Sequence, residues 1–133
     1  MALNVFEVRD VTRLDLAFAQ IARAGVQALV VGPGPTFFFP EITTMAARLR
    51  LPAMYAFRYF AEVGGLLSYG PDLLDVYRQS ARLVGRILKG ERPADLPIER
   101  PTRYELIINL KTSKALGLTI SDAFLLLADE VIE

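Results

Sequence analysis

Ala28-Leu29-Val30-Val31-Gly32-Pro33-Gly34-Pro35-Thr36-Phe37-Phe38-Phe39-Pro40 is the stretch that decides the fold. It opens as a short continuous apolar run, the pattern of a strand buried on both faces. Two glycines alternating with two prolines then stop the chain from continuing as strand or starting a helix. Pro40 stands where a new helix begins. Strand, special loop and helix together form the unit of an open α/β fold, in which ligands bind at the carboxyl ends of the strands.

Working outward, Leu3 to Val8 reads as a first strand. Asp10 is placed to cap a helix whose Val11, Leu14, Phe18 and Ile21 share a face, with Gly25 as its C-cap. Val26 to Val31 is the second strand. After Pro40, Ile42, Met45, Ala46 and Leu49 mark a second helix that Leu51-Pro52 ends. Ala53 to Phe57 is the third strand, Arg58 to Val63 a short helical turn, and Leu66 to Tyr69 the fourth strand. Asp72 caps the longest helix, with Leu73, Leu74, Tyr77, Ala81, Val84 and Leu88 as its buried stripe. Arg92 to Pro101 contains three prolines and reads as an extended connector. Tyr104 to Leu110 is the fifth strand and Thr112 to Leu116 a short helix. Ser121 caps a last helix, Asp122 to Ala128, and Val131-Ile132 adds a final short strand. The order predicts an α/β fold, a mostly parallel open sheet flanked by helices. Residues 1–70 form its α/β core. Residues 71–133 hold the long helix, crossover connector, fifth strand and terminal helices, as one compact domain or a swapped dimer.

The chain has 133 residues, which fits a single domain burying roughly two-thirds of its unfolded surface. Fifteen basic residues balance fifteen acidic ones, so no net field draws it to nucleic acid or an anionic membrane. Cysteine, histidine and tryptophan are absent. That removes disulfides, a thiol nucleophile and the commonest general base and metal ligand. No GxSxG elbow or acidic cluster suggests catalysis, so an enzyme is not expected, nor a cofactor. No apolar run reaches membrane-spanning length. Met1-Ala2-Leu3-Asn4 shows no export signal, so the chain as written is expected to be cytoplasmic.

Gly32-Pro33-Gly34-Pro35 is a poor phosphate loop, because its prolines lack the N–H that an anion needs and no GxGxxG pattern is present. It suits a rigid cleft wall. Phe37-Phe38-Phe39 cannot all enter one core; helix-start packing and a ligand-facing ring are both open. Phe57-Arg58-Tyr59-Phe60 and Tyr69 follow the next two strands. Three successive strands thus deliver aromatic or cationic groups to one edge, as a small organic ligand requires. Arg58 is placed to pair a carboxylate bidentately or to form a surface salt bridge. Thr36 and Ser68 offer hydroxyls. The candidate ligand-binding residues are Thr36, Phe37, Phe57, Arg58, Ser68 and Tyr69.

The second half carries more specific runs: Gly64-Gly65-Leu66-Leu67-Ser68-Tyr69-Gly70-Pro71, Ile87-Leu88-Lys89-Gly90-Glu91-Arg92-Pro93-Ala94-Asp95-Leu96-Pro97, and Pro101-Thr102-Arg103-Tyr104-Glu105-Leu106-Ile107-Ile108-Asn109-Leu110-Lys111-Thr112 with Lys114-Ala115-Leu116-Gly117-Leu118. Together they resemble the carboxyl-terminal half of ABC transporter substrate-binding proteins of the tryptophan/tyrosine type. The resemblance implies one lobe of a type I periplasmic binding protein plus its crossover segments. It implies a periplasmic solute-binding component of an ABC importer, with a small ligand such as an amino acid in an interlobe cleft and an ABC permease as partner. With one lobe alone, the long helix would expose its stripe, and a homodimer, with or without a domain swap, is the expected remedy. A non-transporting, self-associating remnant with aromatics at its subunit interface is the alternative.

Overall fold

A computed structural model describes residues 2–34 and 40–133. Five strands, β1 (Leu29–Val31), β2 (Ala53–Tyr55), β3 (Leu67–Pro71), β4 (Tyr104–Asn109) and β5 (Glu130–Ile132), form one sheet in that spatial order. β1, β2 and β3 are parallel, β4 is antiparallel to β3, and β5 is parallel to β4. The sheet is therefore mostly parallel, as the element order predicts. The reversal at β4 follows the long connector, which returns the chain to the edge it had left.

Helix α1 (Leu14–Ala24) precedes β1, α2 (Glu41–Arg48) joins β1 to β2, and α3 (Arg58–Glu62) joins β2 to β3. Leu14, Phe18 and Ile21 of α1, Ile42 and Ala46 of α2 and Phe60 of α3 pack with Ala53 and Tyr55 into the core, and Leu29 and Val31 lie against it. Phe60 stacks on Tyr55 with ring centroids 4.9 Å apart. The three helices thus cover one face of β1 and β2. By register, Val30, Met54 and Leu67 point to the other face. Val30 is 73% exposed there.

Leu3 to Val8 is not a strand of this sheet. It runs extended, and β1 takes ladder bonds only from β2 among the described residues. Its alternation is real: Phe6 and Val8 rest on the core, while Leu3 and Val5 are exposed. Strand composition set the pleat of the segment, but pairing needs an adjacent partner. Asp10 accepts from Thr12 N–H and caps a single 3-10 turn rather than α1 itself. Gly25 does end α1, in the left-handed conformation that favours glycine.

Gly70 in β3 marks a tight crossing. A Cβ there would sit 1.8 Å from the Ala56 carbonyl oxygen, so only glycine lets the two backbones meet. Beyond β3, α4 (Leu73–Leu88) starts at Asp72, whose side chain accepts from the Leu74 and Asp75 N–H groups. The connector then folds back along α4. Gln79 donates to Thr102 and Asp75, Arg82 faces Glu99, and Arg86 pairs Glu91 at 2.6 Å. These residues form one side of α4. On the opposite side Leu74, Tyr77, Val84 and Leu88 are exposed, and no residue of α4 is buried. The expected stripe exists, but nothing in the described chain covers it. Helices α5 (Leu110–Leu116) and α6 (Asp122–Leu125) lead from β4 to β5. Asn109 ends β4 and caps α5 by accepting from Thr112 N–H, while its amide donates to the Ala61 carbonyl.

Candidate ligand-binding edge

The parallel strands β1, β2 and β3 all end at one edge of the sheet, followed by Gly32, Ala56 and Asp72. β4 and β5 run the other way. Their first residues, Tyr104, Glu105 and Glu130, therefore arrive at that same edge. This is where an open α/β sheet holds a ligand.

Of the six candidate residues, Thr36 and Phe37 lie outside the described residues. Phe57 is the extended N-cap of α3 and is half-buried against the core. Arg58 opens α3, and its guanidinium reaches three carboxylates. Nε donates to both oxygens of Glu105, Nη2 donates to Glu105 at 3.0 Å, and Nη1 donates to Glu130 at 2.7 Å and Glu62 at 3.3 Å. Glu105 is the least exposed of these partners and the main reason the Arg58 pKa rises even above its ordinary value. The cluster ties α3 to β4 and β5.

Ser68 is buried in β3, and its Oγ has no hydrogen-bond partner among the described residues. Tyr69, the next residue, points to the opposite face, as the pleat requires. It is 54% exposed and stacks on Tyr104, centroids 6.0 Å apart. The candidates therefore divide. Arg58 and Ser68 belong to the helix-covered face, where register places Glu105 and Glu130 as well. Tyr69 shares the other face with Tyr104. Burial pushes the Tyr55 hydroxyl, behind the edge, up to about 12.

Three groups at this edge were not among the candidates: Tyr104, Glu105 and Glu130. Their only signal was membership of late strands, and the turn of β4 against β3 is what delivers them. Asp72 and Arg103 close the same edge where the chain passes into α4. Asp72 N–H donates to the Arg103 carbonyl, and their side chains lie 3.5 Å apart. Among the described residues no three acidic side chains converge as a metal site, and no helix is long and apolar enough to cross a membrane. An edge with exposed stacked rings and one clustered guanidinium offers the kinds of contact that a small organic molecule uses.

The model of a family described as ABC transporter substrate binding protein matches residues 1–132. A structure of an ABC domain in complex with L-Trp from Streptococcus pneumoniae is similar over 94% of this chain, with 27% identity and a TM-score of 0.84. A conserved domain protein from Vibrio cholerae O1 biovar El Tor covers 90% of the chain at 24% identity and a TM-score of 0.82. The ligand-free, open structure of a substrate binding protein with adhesive properties from Clostridium difficile covers 94% at 18% identity and a TM-score of 0.61. The last two establish likeness of fold alone. The chain spans 43%, 41% and 42% of those three proteins, less than half of each. No curated protein matches it in sequence.

Proposed function

The chain belongs to the ABC transporter substrate binding protein family, and on that premise we propose that it forms one side of the ligand cleft of an ABC importer's solute receptor. The family is one of binding proteins rather than enzymes. The observation that carries the reading is the family match over residues 1–132, joined to the fold shared with a domain solved with L-Trp. The ligand is a small organic molecule such as an amino acid, and an aromatic one suits the edge. In this reading the segment holding Thr36 and Phe37 walls the cleft, with Phe57 and Tyr69 as its aromatic contacts. Arg58 takes a ligand carboxylate in exchange for one of its glutamates, and Ser68 gains its missing partner by a small shift of β3. The partner is an ABC permease, and the place of work is the periplasmic or extracellular side of the membrane.

A thermal titration with L-Trp, L-Tyr and branched amino acids tests this. A ligand at 100 times its Kd stabilises the fold by about 2.7 kcal/mol. Absence of any shift across the panel, in a protein that unfolds cooperatively, overturns the amino-acid reading.

The exposed stripe of α4 favours a second reading, in which the chain self-associates as a homodimer and transports nothing. Then the aromatics are interface groups. Light scattering separates the two: a dimer indifferent to ligand supports assembly, and ligand-induced stabilisation supports the receptor.

A further inference from the structure

We propose that the outer groove between α1 and α2 docks a short amphipathic helix of another protein. That helix lies antiparallel to both, with its acidic first turn over a set of arginines and its basic last turn over Asp15 and Glu41. The inference rests on the fold alone and stands whether or not the ligand reading holds. Phe18, Ala19 and Ala22 of α1 face Met45, Arg48 and Leu49 of α2 across a groove of about 210 Å³. Pockets for drug-sized molecules run to roughly 300–1,000 Å³ and enclose most of the ligand. This one is smaller and open on its outer side. Two neighbouring helices with an apolar furrow between them instead suit a third helix, which fills the furrow with side chains at i, i+3 and i+7.

Charge fixes the kind of helix and its direction. Asp15 and Arg23 lie on the groove side of α1 with Ala19 and Ala22, and Glu41 lies on that of α2 with Met45 and Arg48. β1 and β2 are parallel, with Leu29 opposite Ala53, and each helix ends the same distance in sequence ahead of that pair. The two helices therefore run side by side in one direction. Asp15 and Glu41 stand at one end of the groove, and Arg23, Arg48 and Arg50 at the other. All five are exposed, and none makes an ion pair or a side-chain hydrogen bond among the described residues. Four of them compensate the dipoles of their own helices, as acids in first turns and bases in last turns. Arg50 is different. It follows the C-cap Leu49 in a Schellman turn, in which Leu51 N–H donates to the Ala46 carbonyl and Arg50 N–H to the Ala47 carbonyl. Its φ of 52° is the only positive value for a non-glycine among the described residues, at the position where glycine is usual. A side chain held there against the backbone's preference is a mark of function. An antiparallel helix answers both ends at once, because acids favour its first turn and bases its last. α2 has eight residues, about 12 Å, so contact extends over about two turns of the partner. An interface that small is of the transient kind.

The probe is a hydrocarbon-stapled helix of about 12 residues, with glutamates in its first turn, leucines at i, i+3 and i+7, and lysines in its last turn. Titrated into the isotope-labelled chain, it should move the amide signals of Ala19, Ala22, Met45 and Leu49, with a Kd of roughly 10 μM to 1 mM. The same peptide with glutamates and lysines exchanged should bind about tenfold more weakly or worse. Glu41→Lys with Arg48→Glu should reverse that preference. Arg50→Gly removes the guanidinium and relieves the backbone. It should fold at least as stably as the parent chain and bind the first peptide about two- to fivefold more weakly. Equal affinity for the two peptides, unchanged affinity in Arg50→Gly, or shifts centred on Tyr77 and Leu88 of α4 instead overturns the proposal. Shifts at Ala19 and Met45 that grow with protein concentration before any peptide is added overturn it too, since a second copy then fills the groove.

Discussion

Replacing Arg58 with methionine keeps the length of the side chain and deletes the guanidinium that joins α3 to β4 and β5. The cost follows from the exposure of each partner. The contacts to Glu62 and Glu130 are about half exposed, and each is worth only about 0.2–1 kcal/mol. Glu105 is different. Its side chain is 12% exposed, it accepts from both Nε and Nη2, and it would be left without its cation. Hydrogen bonds to charged groups contribute about 1.5–3 kcal/mol, here reduced by the exposed flank of Arg58. Since one guanidinium serves all three carboxylates, the terms do not add, and R58M is expected to lose about 2–3 kcal/mol. Urea unfolding followed by circular dichroism measures this, together with E105Q and the double variant. The cycle should return a coupling of about 1–2 kcal/mol. Adding 1 M salt should remove the small contributions of Glu62 and Glu130 and leave most of the Glu105 coupling. A loss below about 0.5 kcal/mol for R58M, or a coupling near zero, would refute the view that this cluster clasps the late strands to the early ones.

Tyr55 makes an alkaline prediction. Its folded pKa is raised to about 12, so its stabilising share is complete below pH 10 and is lost as pH climbs from 10 to 12. The loss, about 2–3 kcal/mol, should vanish in Tyr55→Phe when unfolding midpoints are compared across that range. Gly70→Ala drives a methyl into the Ala56 carbonyl, and a cost of about 3 kcal/mol or more is expected in denaturant unfolding. Ser68→Ala removes a buried hydroxyl without a partner among the described residues, so calorimetry should find stability unchanged or raised by about 1 kcal/mol. Tyr77→Lys with Leu88→Lys alters only exposed positions of α4. Stability should shift by about 0.5 kcal/mol or less, while light scattering should show any self-association of the parent chain weakened.

The local rules of the chain were readable. Asp72 and Ser121 cap helices where their spacing says they should, and Gly25 and Gly117 end helices in left-handed geometry. The apolar cores of β2 and β4 and the crossover order were also visible in composition. What the sequence hid is long-range. Arg58 meets Glu105 and Glu130, 47 and 72 residues away, because β4 turns antiparallel, and nothing local to Tyr104–Asn109 sets that direction. Asn109 escaped as a cap because the apolar run Ile107-Ile108 passes straight into Leu110 with no turn residue between strand and helix. The split of Ser68 from Tyr69 was available in principle, since neighbours on a strand oppose one another. It mattered only once the strand's two faces had different coverings.

The orientation of α4 bears on how any ligand measurement on this chain is read. A surface helix normally turns its polar side outward and its apolar side to its own domain. Here Asp75, Gln79, Arg82 and Arg86 are taken up by the connector or its neighbours, and Leu74, Tyr77, Val84 and Leu88 look away. The helix and its connector therefore form an arm whose apolar side is exposed among the described residues. Tyr69 and Tyr104 lie just before that arm and at the return of its connector, and both are exposed. A ligand seated there touches one wall only. Pockets that hold small molecules enclose most of their surface, so affinity in this chain alone should fall well short of that in a chain where the opposing wall is present. Each 1.4 kcal/mol of lost contact weakens binding about tenfold. If the chain alone bound L-Trp as tightly as a chain in which the opposing wall is present, the edge would be a complete site in itself, and the one-walled reading would be refuted.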